Sequence, residues 1–252
     1  MAKDAAQASP PAPTMPPLFY RRPAALSPFY HVELALEDDG TFGFARPTNS
    51  IPLNAAEFGL AVRHYPIVFT PTAPAFPVAI VGTRRDRNLF VDDAGRWQES
   101  VYIPAWVRRY PFIFLEQPGH KEFTLGIDEA APMLKQGGEN RLFRSGKPMP
   151  VLERAVAFCS EFQGQLALTR DFCKALEDEG LLADKEAGIT MKDGSGFRLT
   201  GFRVVDEKKL DKLEAKTFQR FRRRGWLAPI YLHLASVANW AILVDLAAKQ
   251  GA

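Results

Sequence analysis

Two related octapeptides carry the side chains best suited to hold an anion. VRHYPIVF (octapeptide 1) occupies residues 62–69, and VRRYPFIF (octapeptide 2) occupies residues 107–114. Each places an arginine two residues before a tyrosine–proline pair, and a guanidinium group can bind a carboxylate or phosphate through two parallel hydrogen bonds. The candidate ligand-binding residues of the two octapeptides are Arg63, Tyr65, Arg108 and Tyr110.

The same residues also have a structural interpretation, which we favour. An arginine in the last turn of a helix is stabilised by the helix dipole, and a residue before proline is pushed into extended backbone. The pattern therefore predicts two helix-to-strand junctions of a duplicated unit. The functional alternative is that the paired units form a cleft in which the two arginines grip one anion.

Each octapeptide lies inside a longer segment with the same order of predicted elements. In residues 54–82, a short helix capped by Asn54 ends before Pro66, and IVF and PVAIVG follow as two strands. In residues 99–127, the helix VYIPAWVRR ends before Pro111, and FIFLE and FTLGI form the second pair of strands. These segments, repeat 1 and repeat 2, are predicted to superpose as helix–hairpin units.

Past the midpoint of the chain the apolar residues recur at helical spacing. Residues 151–182 predict a long helix with a stop at Gly180, and 189–205 predict a third hairpin with an Asp-Gly turn. Two Asp–Glu pairs follow predicted strands, in GIDEAAP and VVDEKKL, where capping of the next helix is favoured over acid–base catalysis. The second pair begins a helix at Asp206 that is expected to run to Gly225.

These elements predict an α+β fold in which the duplicated helix–hairpin units and the third hairpin form one mainly antiparallel sheet packed against C-terminal helices. The content of 46% hydrophobic and 24% charged residues is typical of a soluble globular protein. The Ala/Pro-rich leader at 1–17 is expected to be disordered, and 18–252 to form a single domain. Two lobes, 18–150 and 151–252, are the alternative.

The helix predicted at 207–224 carries a basic stripe. Its cations recur at steps of three and four residues, which places them on one helical face. An ordinary solvated face is favoured, and the alternative is a docking face for an anionic partner or a membrane surface. The cations of this stripe are Lys209, Lys212, Lys216, Arg220 and Arg223.

The last predicted helix, APIYLHLASVANWAILVDLAAK, is apolar on nearly all sides and follows the basic run RFRRR. Its length would allow a membrane span, but Asp245 would cost about 2.5–3.5 kcal/mol at the bilayer centre. A buried helix of a soluble protein is therefore expected, and membrane spanning is not. His233 and Asn239 would then need buried partners or face a cavity, which makes them further ligand-binding candidates.

No complete catalytic motif occurs in the sequence. The four histidines lack metal-ligand spacing, and CxxC, the P-loop, G-x-G-x-x-G and Gly-x-Ser-x-Gly are absent. We therefore expect no metal and no cofactor. Whether the protein is an enzyme stays open, and the missing motifs favour a protein that is not. The net charge of +3 is too mild to predict specific nucleic-acid binding.

The N-terminal residues contain no apolar run of signal-peptide length. Cytoplasmic localisation is therefore predicted. The alternative is the cell surface, reached by a route without a cleaved Sec signal.

Several of these motifs occur together in an order that resembles the bacterial SapC family. They are RHYPIVF, YIPAWVRRYPFIFLE, NRLFRSG, GFRVVDEKKLDKL and GWLAPIYLHLASVANW, and the resemblance runs from about Phe19 to Leu246. The family takes its name from a protein associated with a paracrystalline surface layer. Many members sit among genes for flavin-dependent halogenases, dioxygenase-like proteins and outer-membrane receptors, and no family catalytic residues can be carried over.

The resemblance and the missing catalytic motifs together predict a non-catalytic binding or accessory protein. It would serve a surface-layer, uptake or modification system through a protein partner, with an anionic small molecule as a further ligand. The alternative is an enzyme that acts on an anionic small molecule in a pocket between the two repeats.

Overall fold

The computed structural model describes residues 17–116, 123–190 and 196–250. The predicted leader, except for its last residue, and the predicted Asp-Gly turn of the third hairpin lie outside the described residues.

The chain divides into two compact units, and each is assembled from two separate chain segments. Unit 1 comprises Met1–Gly40 with Arg109–Gln163, and unit 2 comprises Thr41–Arg108 with Gly164–Ala252.

Most strands and helices are short, and the exceptions are the helix Pro150–Asp178 and the hairpin of Leu182–Thr190 and Gly196–Val205. The strands are β1 (Pro23–Ala25), β2 (Leu34–Leu36), β3 (Ser50–Pro52), β4 (Ile67–Phe69), β5 (Pro77–Ile80), β6 (Phe112–Glu116), β7 (Phe123–Asp128), β8 (Leu134–Gln136), β9 (Phe143–Arg144), β10 (Lys147–Pro148), β11 (Leu182–Thr190) and β12 (Gly196–Val205). The α-helices are α1 (Phe58–Ala61), α2 (Ala105–Arg108), α3 (Pro150–Asp178), α4 (Glu207–Leu210), α5 (Ala215–Arg223), α6 (Leu227–Ser236) and α7 (Trp240–Lys249). Short 3-10 helices lie at Gly43–Ala45, Ala55–Glu57 and Val237–Asn239.

All strand pairs between these elements are antiparallel, so the predicted α+β class with antiparallel sheets is confirmed. The five-stranded sheet of unit 2 has the order β11-β12-β4-β5-β3, and the three-stranded sheet of unit 1 has the order β1-β7-β6. The first and third predicted hairpins therefore share one sheet, while the second hairpin belongs to another. A single sheet from all three hairpins was expected, and the structure distributes them over two.

The predicted duplication is confirmed at the level of secondary structure. In each octapeptide the chain leaves a short helix, turns through Tyr-Pro and enters a strand. The same additional hydrogen bond closes both junctions, because Ile80 N donates to Pro66 O (2.9 Å) and Asp128 N donates to Pro111 O (3.0 Å). The Tyr110–Pro111 peptide bond of the second junction is cis.

The core of unit 1 forms where strand residues meet the first turns of α3. Its buried members are Leu34, Phe112, Ile127, Leu142, Phe143, Leu152 and Cys159. In unit 2 the ring of Phe69 on β4 packs between the ring of Phe172 (6.3 Å between centroids) and the ring of His233 (5.0 Å). Burial of such rings is the main favourable term that holds α3 and α6 to the sheet.

The long helix α3 runs continuously from Pro150 to Asp178. It stops where predicted, because Gly180 takes a φ of +62°, a conformation that glycine adopts without strain. Asp206 also acts as predicted, since its carboxylate accepts hydrogen bonds from Lys208 N (3.0 Å) and Lys209 N (3.3 Å) at the start of α4.

The helix expected at 207–224 is two helices. Helix α4 ends at Leu210, and α5 begins only at Ala215 because Glu214 has an extended backbone with ψ 142°. The predicted single basic stripe is therefore wrong in its geometry: Lys209 lies on α4, Lys212 lies in the connection, and the other three cations lie on α5.

The last predicted helix consists of α6, a 3-10 turn and α7. Within the described part of the chain, this segment, Leu227–Lys249, is long and apolar enough to cross a membrane by length and composition, with a mean hydropathy of 1.6. The expected burial holds for one face only, because 22% of the most apolar stretch of the segment is buried. The residues of α6 and α7 that are fully buried are Ile230, His233, Ser236, Leu243 and Ala247.

Candidate functional site

Three polar side chains of the C-terminal segment attach it to octapeptide 1. His233, Ser236 and Asn239 recur at three-residue spacing, which places them on one helical face. All three bond to backbone atoms of the junction that leads into β4. The structure therefore brings two of the predicted site residues, His233 and Asn239, to the same junction as a third, Tyr65.

Both ring nitrogens of His233 are used inside the fold. Nδ1 lies 2.7 Å from Ile67 O, and Nε2 accepts a hydrogen bond from Val205 N at 3.0 Å. A carbonyl oxygen can only accept, so Nδ1 carries the proton. The side chain is fully buried, and this burial lowers its pKa to about 4, although the hydrogen bond to Ile67 opposes the shift. His233 is thus a neutral link between β4 and β12.

Ser236 and Asn239 complete the attachment. Ser236 Oγ accepts from Ile67 N (2.9 Å) and donates to His233 O (2.6 Å). Asn239 Nδ2 donates to Val62 O (2.6 Å) and to Tyr65 O (3.0 Å). These contacts satisfy backbone groups that the short helix α1 and the strand β4 leave unpaired at their ends.

The hydroxyl group of Tyr65 is buried on the other side of the junction. It donates to Tyr102 O and accepts from Trp97 Nε1 at 3.2 Å. The ring of Phe90 packs edge-on against the Tyr65 ring, with centroids 4.8 Å apart. Burial raises the pKa of Tyr65 above its usual range, so the phenol is un-ionised and serves as a structural hydrogen-bonding group.

Glu57 is a buried carboxylate that the sequence analysis missed. Oε2 accepts from Asn54 N (2.8 Å), while Oε1 accepts from Ala105 N (2.7 Å) and from the Tyr102 hydroxyl (2.9 Å). Burial raises the pKa of Glu57, and these donors oppose the shift. The available signal was a glutamate three residues after the predicted cap Asn54, which is the spacing of a capping box.

Tyr102 connects this carboxylate to the protein surface. It is half-buried, and its pKa is raised to about 12, mainly by burial and further by the neighbouring Glu57 carboxylate. Arg108 Nη2 donates to the Tyr102 hydroxyl at 3.2 Å, and Arg108 Nε donates to Ile103 O at 3.0 Å. The sequence Glu57–Tyr102–Arg108 therefore runs from a buried carboxylate to an exposed guanidinium group.

The two candidate arginines occupy different positions at their junctions. Arg108 is the last residue of α2, whereas Arg63 lies two residues beyond the end of α1 at Ala61. Both side chains are exposed to solvent. The requirement that a buried cation meet a carboxylate or an anion therefore does not apply to either of them.

The remaining candidate, Tyr110, lies in unit 1 and bonds to a carboxylate. Its hydroxyl donates to Asp128 Oδ2 at 2.8 Å, and burial followed by this bond raises its pKa. Asp128 is fully buried and also accepts from Arg21 N (3.1 Å) and Arg22 N (2.7 Å). Asp128 does not begin a helix as GIDEAAP predicted, but ties the N-terminal segment to octapeptide 2.

The buried cation of octapeptide 2 is Arg109, not Arg108. Its side chain is only 6% exposed, and its guanidinium group lies 4.5 Å from the ring centroid of Phe162 and 5.7 Å from that of Tyr20. Burial lowers the pKa of Arg109. The repeat gives no signal for Arg109, because the matching position of octapeptide 1 is His64 and no arginine recurs there.

The five basic residues that were predicted to meet an anionic partner fall into two groups, those that bond within the protein and those that are exposed. Lys209 Nζ donates to Gly180 O at 2.8 Å, and Arg220 forms an ion pair with Glu179 at 2.6 Å. Lys212, Lys216 and Arg223 are exposed. In the ranges that the structure describes, no group of three or more His, Cys, Asp or Glu side chains could hold a metal ion.

The protein has an α+β fold with antiparallel sheets, and buried polar side chains form hydrogen bonds between segments that are distant in sequence. The chain matches the SapC family over residues 26–243 and belongs to that family. No curated protein and no solved structure matches the chain.

Proposed function

We propose that this SapC-family chain is a non-catalytic binding or accessory protein that acts through its exposed C-terminal helices. One observation carries the proposal: both ring nitrogens of His233 are hydrogen-bonded to backbone atoms inside the fold. A general acid or base must have a nitrogen or oxygen within reach of a substrate, and His233 has neither nitrogen available. Tyr65 supports the same conclusion, because its buried hydroxyl bonds to Tyr102 and Trp97.

The proposed biological setting is a surface-layer, uptake or modification system. Family membership supports this setting, since SapC takes its name from a protein associated with a surface layer. We further propose a cytoplasmic protein, with the cell surface as the alternative location. A protein of such a system is the proposed macromolecular partner, and an anionic small molecule is a secondary one.

The proposal is tested by cross-linking the full chain in the cells that make it, followed by affinity purification and mass spectrometry. The variant Arg222→Glu/Arg223→Glu removes two exposed cations of the C-terminal region, and Arg84→Glu/Arg85→Glu is a matched control with the same change of charge. We expect wild type and control to retain a common set of cross-linked products that the first variant loses. Equal products from all three proteins would contradict an accessory role for these helices.

Catalysis on an anionic small molecule is the second candidate, and one observation favours it. Glu57 is a buried carboxyl group with a raised pKa, hydrogen-bonded to Tyr102, which in turn bonds to the exposed Arg108. A cation beside a carboxyl of raised pKa is an arrangement found in active sites. Untargeted profiling of metabolites incubated with the purified chain tests it: turnover that Glu57→Gln abolishes in a folded protein would establish an enzyme.

A further inference from the structure

The C-terminal helices present an uncharged surface of unusual length. Residues 225–244 contain no lysine, arginine, aspartate or glutamate. The three polar side chains of greatest hydrogen-bonding capacity within them, His233, Ser236 and Asn239, bond to backbone atoms of unit 2. These three polar side chains therefore face the protein, and the opposite face of the stretch is mainly apolar.

The outward face of this segment is exposed although it is apolar. The side chain of Tyr231 is 53% exposed and that of Val237 is 41% exposed. Small apolar residues surround them on the exposed face: Ala228, Ala235, Ala238 and Ala241. A surface helix ordinarily places charged residues on its solvent side, so a face of this kind marks an interaction site.

Directly before this face lies the most basic segment of the chain. Residues 215–224 carry five cations and no anion, and the cations are Lys216, Arg220, Arg222, Arg223 and Arg224. Arg220 is paired with Glu179, and Arg224 lies 5.7 Å from the ring centroid of Trp226. Arg222 and Arg223 are exposed and form no ion pair with any residue in the described ranges.

We propose that residues 215–249 bind the surface of an anionic phospholipid membrane. This inference rests on the proposed binding function and names its partner. The cations of α5 contact lipid phosphate groups, while the exposed face of α6 and α7 lies at the boundary between headgroups and acyl chains. Tyr231 is exposed, and Trp226 and Trp240 are partly exposed. Such side chains favour this depth, because their rings are apolar and carry one polar group.

The chain binds in the plane of the membrane and does not cross it. A spanning helix would have to leave the protein, and the hydrogen bonds of His233, Ser236 and Asn239 with octapeptide 1 would be lost. Those side chains and the freed backbone groups would then face hydrocarbon without partners, which is costly. The inner face of the segment therefore stays on the sheet while the outer face meets lipid.

Charge favours a lipid surface over a second copy of this chain. In a twofold dimer the same patch is present on both subunits, so one interface would hold this cluster of cations twice. Like charges so placed repel one another. A membrane rich in anionic lipid offers the opposite charge next to an apolar layer, which matches the order of α5 and α6 along the chain.

The test is flotation of the full chain with lipid vesicles. Vesicles of phosphatidylcholine with about 30% phosphatidylglycerol are compared with phosphatidylcholine alone, because basic segments bind anionic lipid selectively. We expect binding to the anionic vesicles only, weakened at least tenfold between about 0.05 M and about 0.5 M salt, since the Debye length shortens. The fluorescence of Trp226 and Trp240 is expected to shift to the blue on binding.

Two variants and a control locate the contact. Arg222→Glu/Arg223→Glu is expected to lower vesicle binding at least about tenfold, because each basic residue near the surface contributes up to about fivefold. Arg84→Glu/Arg85→Glu changes the net charge equally and is expected to leave binding within about twofold of wild type on the same basis. Tyr231→Ser is expected to weaken the binding that remains at high salt.

Four outcomes would overturn the inference. Failure of the folded wild type to bind anionic vesicles excludes a lipid partner, and the proposed accessory function then stands or falls on the cross-linking result. An equal loss in the control variant shows a non-specific charge effect. A dimer in light scattering that Tyr231→Ser dissociates shows that a second copy covers the face, and bound protein that resists alkaline extraction shows a spanning helix.

Discussion

The two octapeptides fold alike but are held in place by different parts of the chain. Octapeptide 1 is fixed by side chains from the C-terminal segment, where His233 and Asn239 bond to its backbone. Octapeptide 2 is fixed by Asp128, whose carboxylate bonds to the Tyr110 hydroxyl and to backbone amides of Arg21 and Arg22. The side chains that hold octapeptide 1 are uncharged, whereas octapeptide 2 depends on the buried carboxylate of Asp128.

The difference shows how a duplicated unit acquires two tertiary roles. The residues that shape the junction are common to both copies, and both close with the hydrogen bond to the proline carbonyl. The donor residue to that carbonyl is Ile80 in one copy and Asp128 in the other. The equivalent position is acidic in the copy that binds the backbone amides of Arg21 and Arg22, and apolar and buried in the other copy.

The largest expected effect follows removal of the charged anchor. Asp128→Ala leaves the buried Tyr110 hydroxyl and the partly buried amides of Arg21 and Arg22 without their acceptor. We expect a loss of about 4 kcal/mol in the free energy of unfolding, since unsatisfied buried donors each cost about 1–3 kcal/mol. Chemical denaturation measures it. Asp128→Asn keeps one acceptor oxygen and is expected to lose less, and an equal loss in both variants would contradict this account.

The buried neutral ring of His233 predicts that the stability of the protein depends on pH. Because burial lowers the pKa of His233 to about 4 in the folded protein, the unfolded chain binds more protons below its ordinary pKa of about 6.5. The contribution of His233 is therefore complete above about pH 6.5 and falls by on the order of 3 kcal/mol as the pH drops to about 4.

The variant His233→Gln isolates this titration from that of the carboxylates. At pH 7 we expect the variant to be less stable by about 2 kcal/mol, because glutamine cannot bond both Ile67 O and Val205 N in the same geometry. The difference in unfolding free energy between the two proteins should narrow as the pH falls. A difference that stays constant between pH 7 and pH 5 would show that His233 titrates normally.

A smaller effect separates the two matched tyrosines. Tyr110→Phe removes a hydrogen bond to a carboxylate and is expected to cost about 2 kcal/mol, whereas Tyr65→Phe removes bonds to neutral partners and is expected to cost about 1 kcal/mol. Urea denaturation of both variants tests the order. The reverse order would mean that octapeptide 1 depends more strongly on its tyrosine than the contacts indicate.

The smallest effects are expected at the two arginines that the sequence singled out. Arg63 is exposed, so Arg63→Ala should change the unfolding free energy by less than about 0.5 kcal/mol. Arg108 bonds to Ile103 O and the Tyr102 hydroxyl at an exposed site, and Arg108→Ala should cost about 0.5–1 kcal/mol. Thermal denaturation of the pair checks both values, and a larger loss in Arg63→Ala would contradict the asymmetry between the copies.

Local features of the fold were predictable because they depend on neighbouring residues. Proline restricts the residue before it, glycine accepts a positive φ at position 180, and Asp206 caps the helix that follows it. Each of these signals lies within a few residues of the structure it produces. The junctions, the stop of α3 and the start of α4 therefore follow from the sequence.

Tertiary partners were not predictable from the same signals. The hairpins are divided over two sheets because β1 pairs with the hairpin of repeat 2 and β12 pairs with the hairpin of repeat 1. Both strands lie far in the sequence from the repeat that they join. The capping-box spacing of Glu57 was visible in the sequence, but its contact with Ala105 was not, because Ala105 is distant in sequence. The contact of Arg109 with Phe162 is distant in the same way. The break at Glu214 was missed because a charged residue in a helical pattern gives no local sign of extended backbone.

The claim that octapeptide 1 uses its polar partners for folding is tested most directly by nitrogen-15 NMR of the His233 ring. The account predicts a neutral ring protonated at Nδ1, with no titration above about pH 5, because Nε2 accepts a hydrogen bond from Val205 N and burial lowers the pKa to about 4. Titration of His233 near pH 6.5, or a proton on Nε2, would show a ring open to solvent or ligand and would contradict the account.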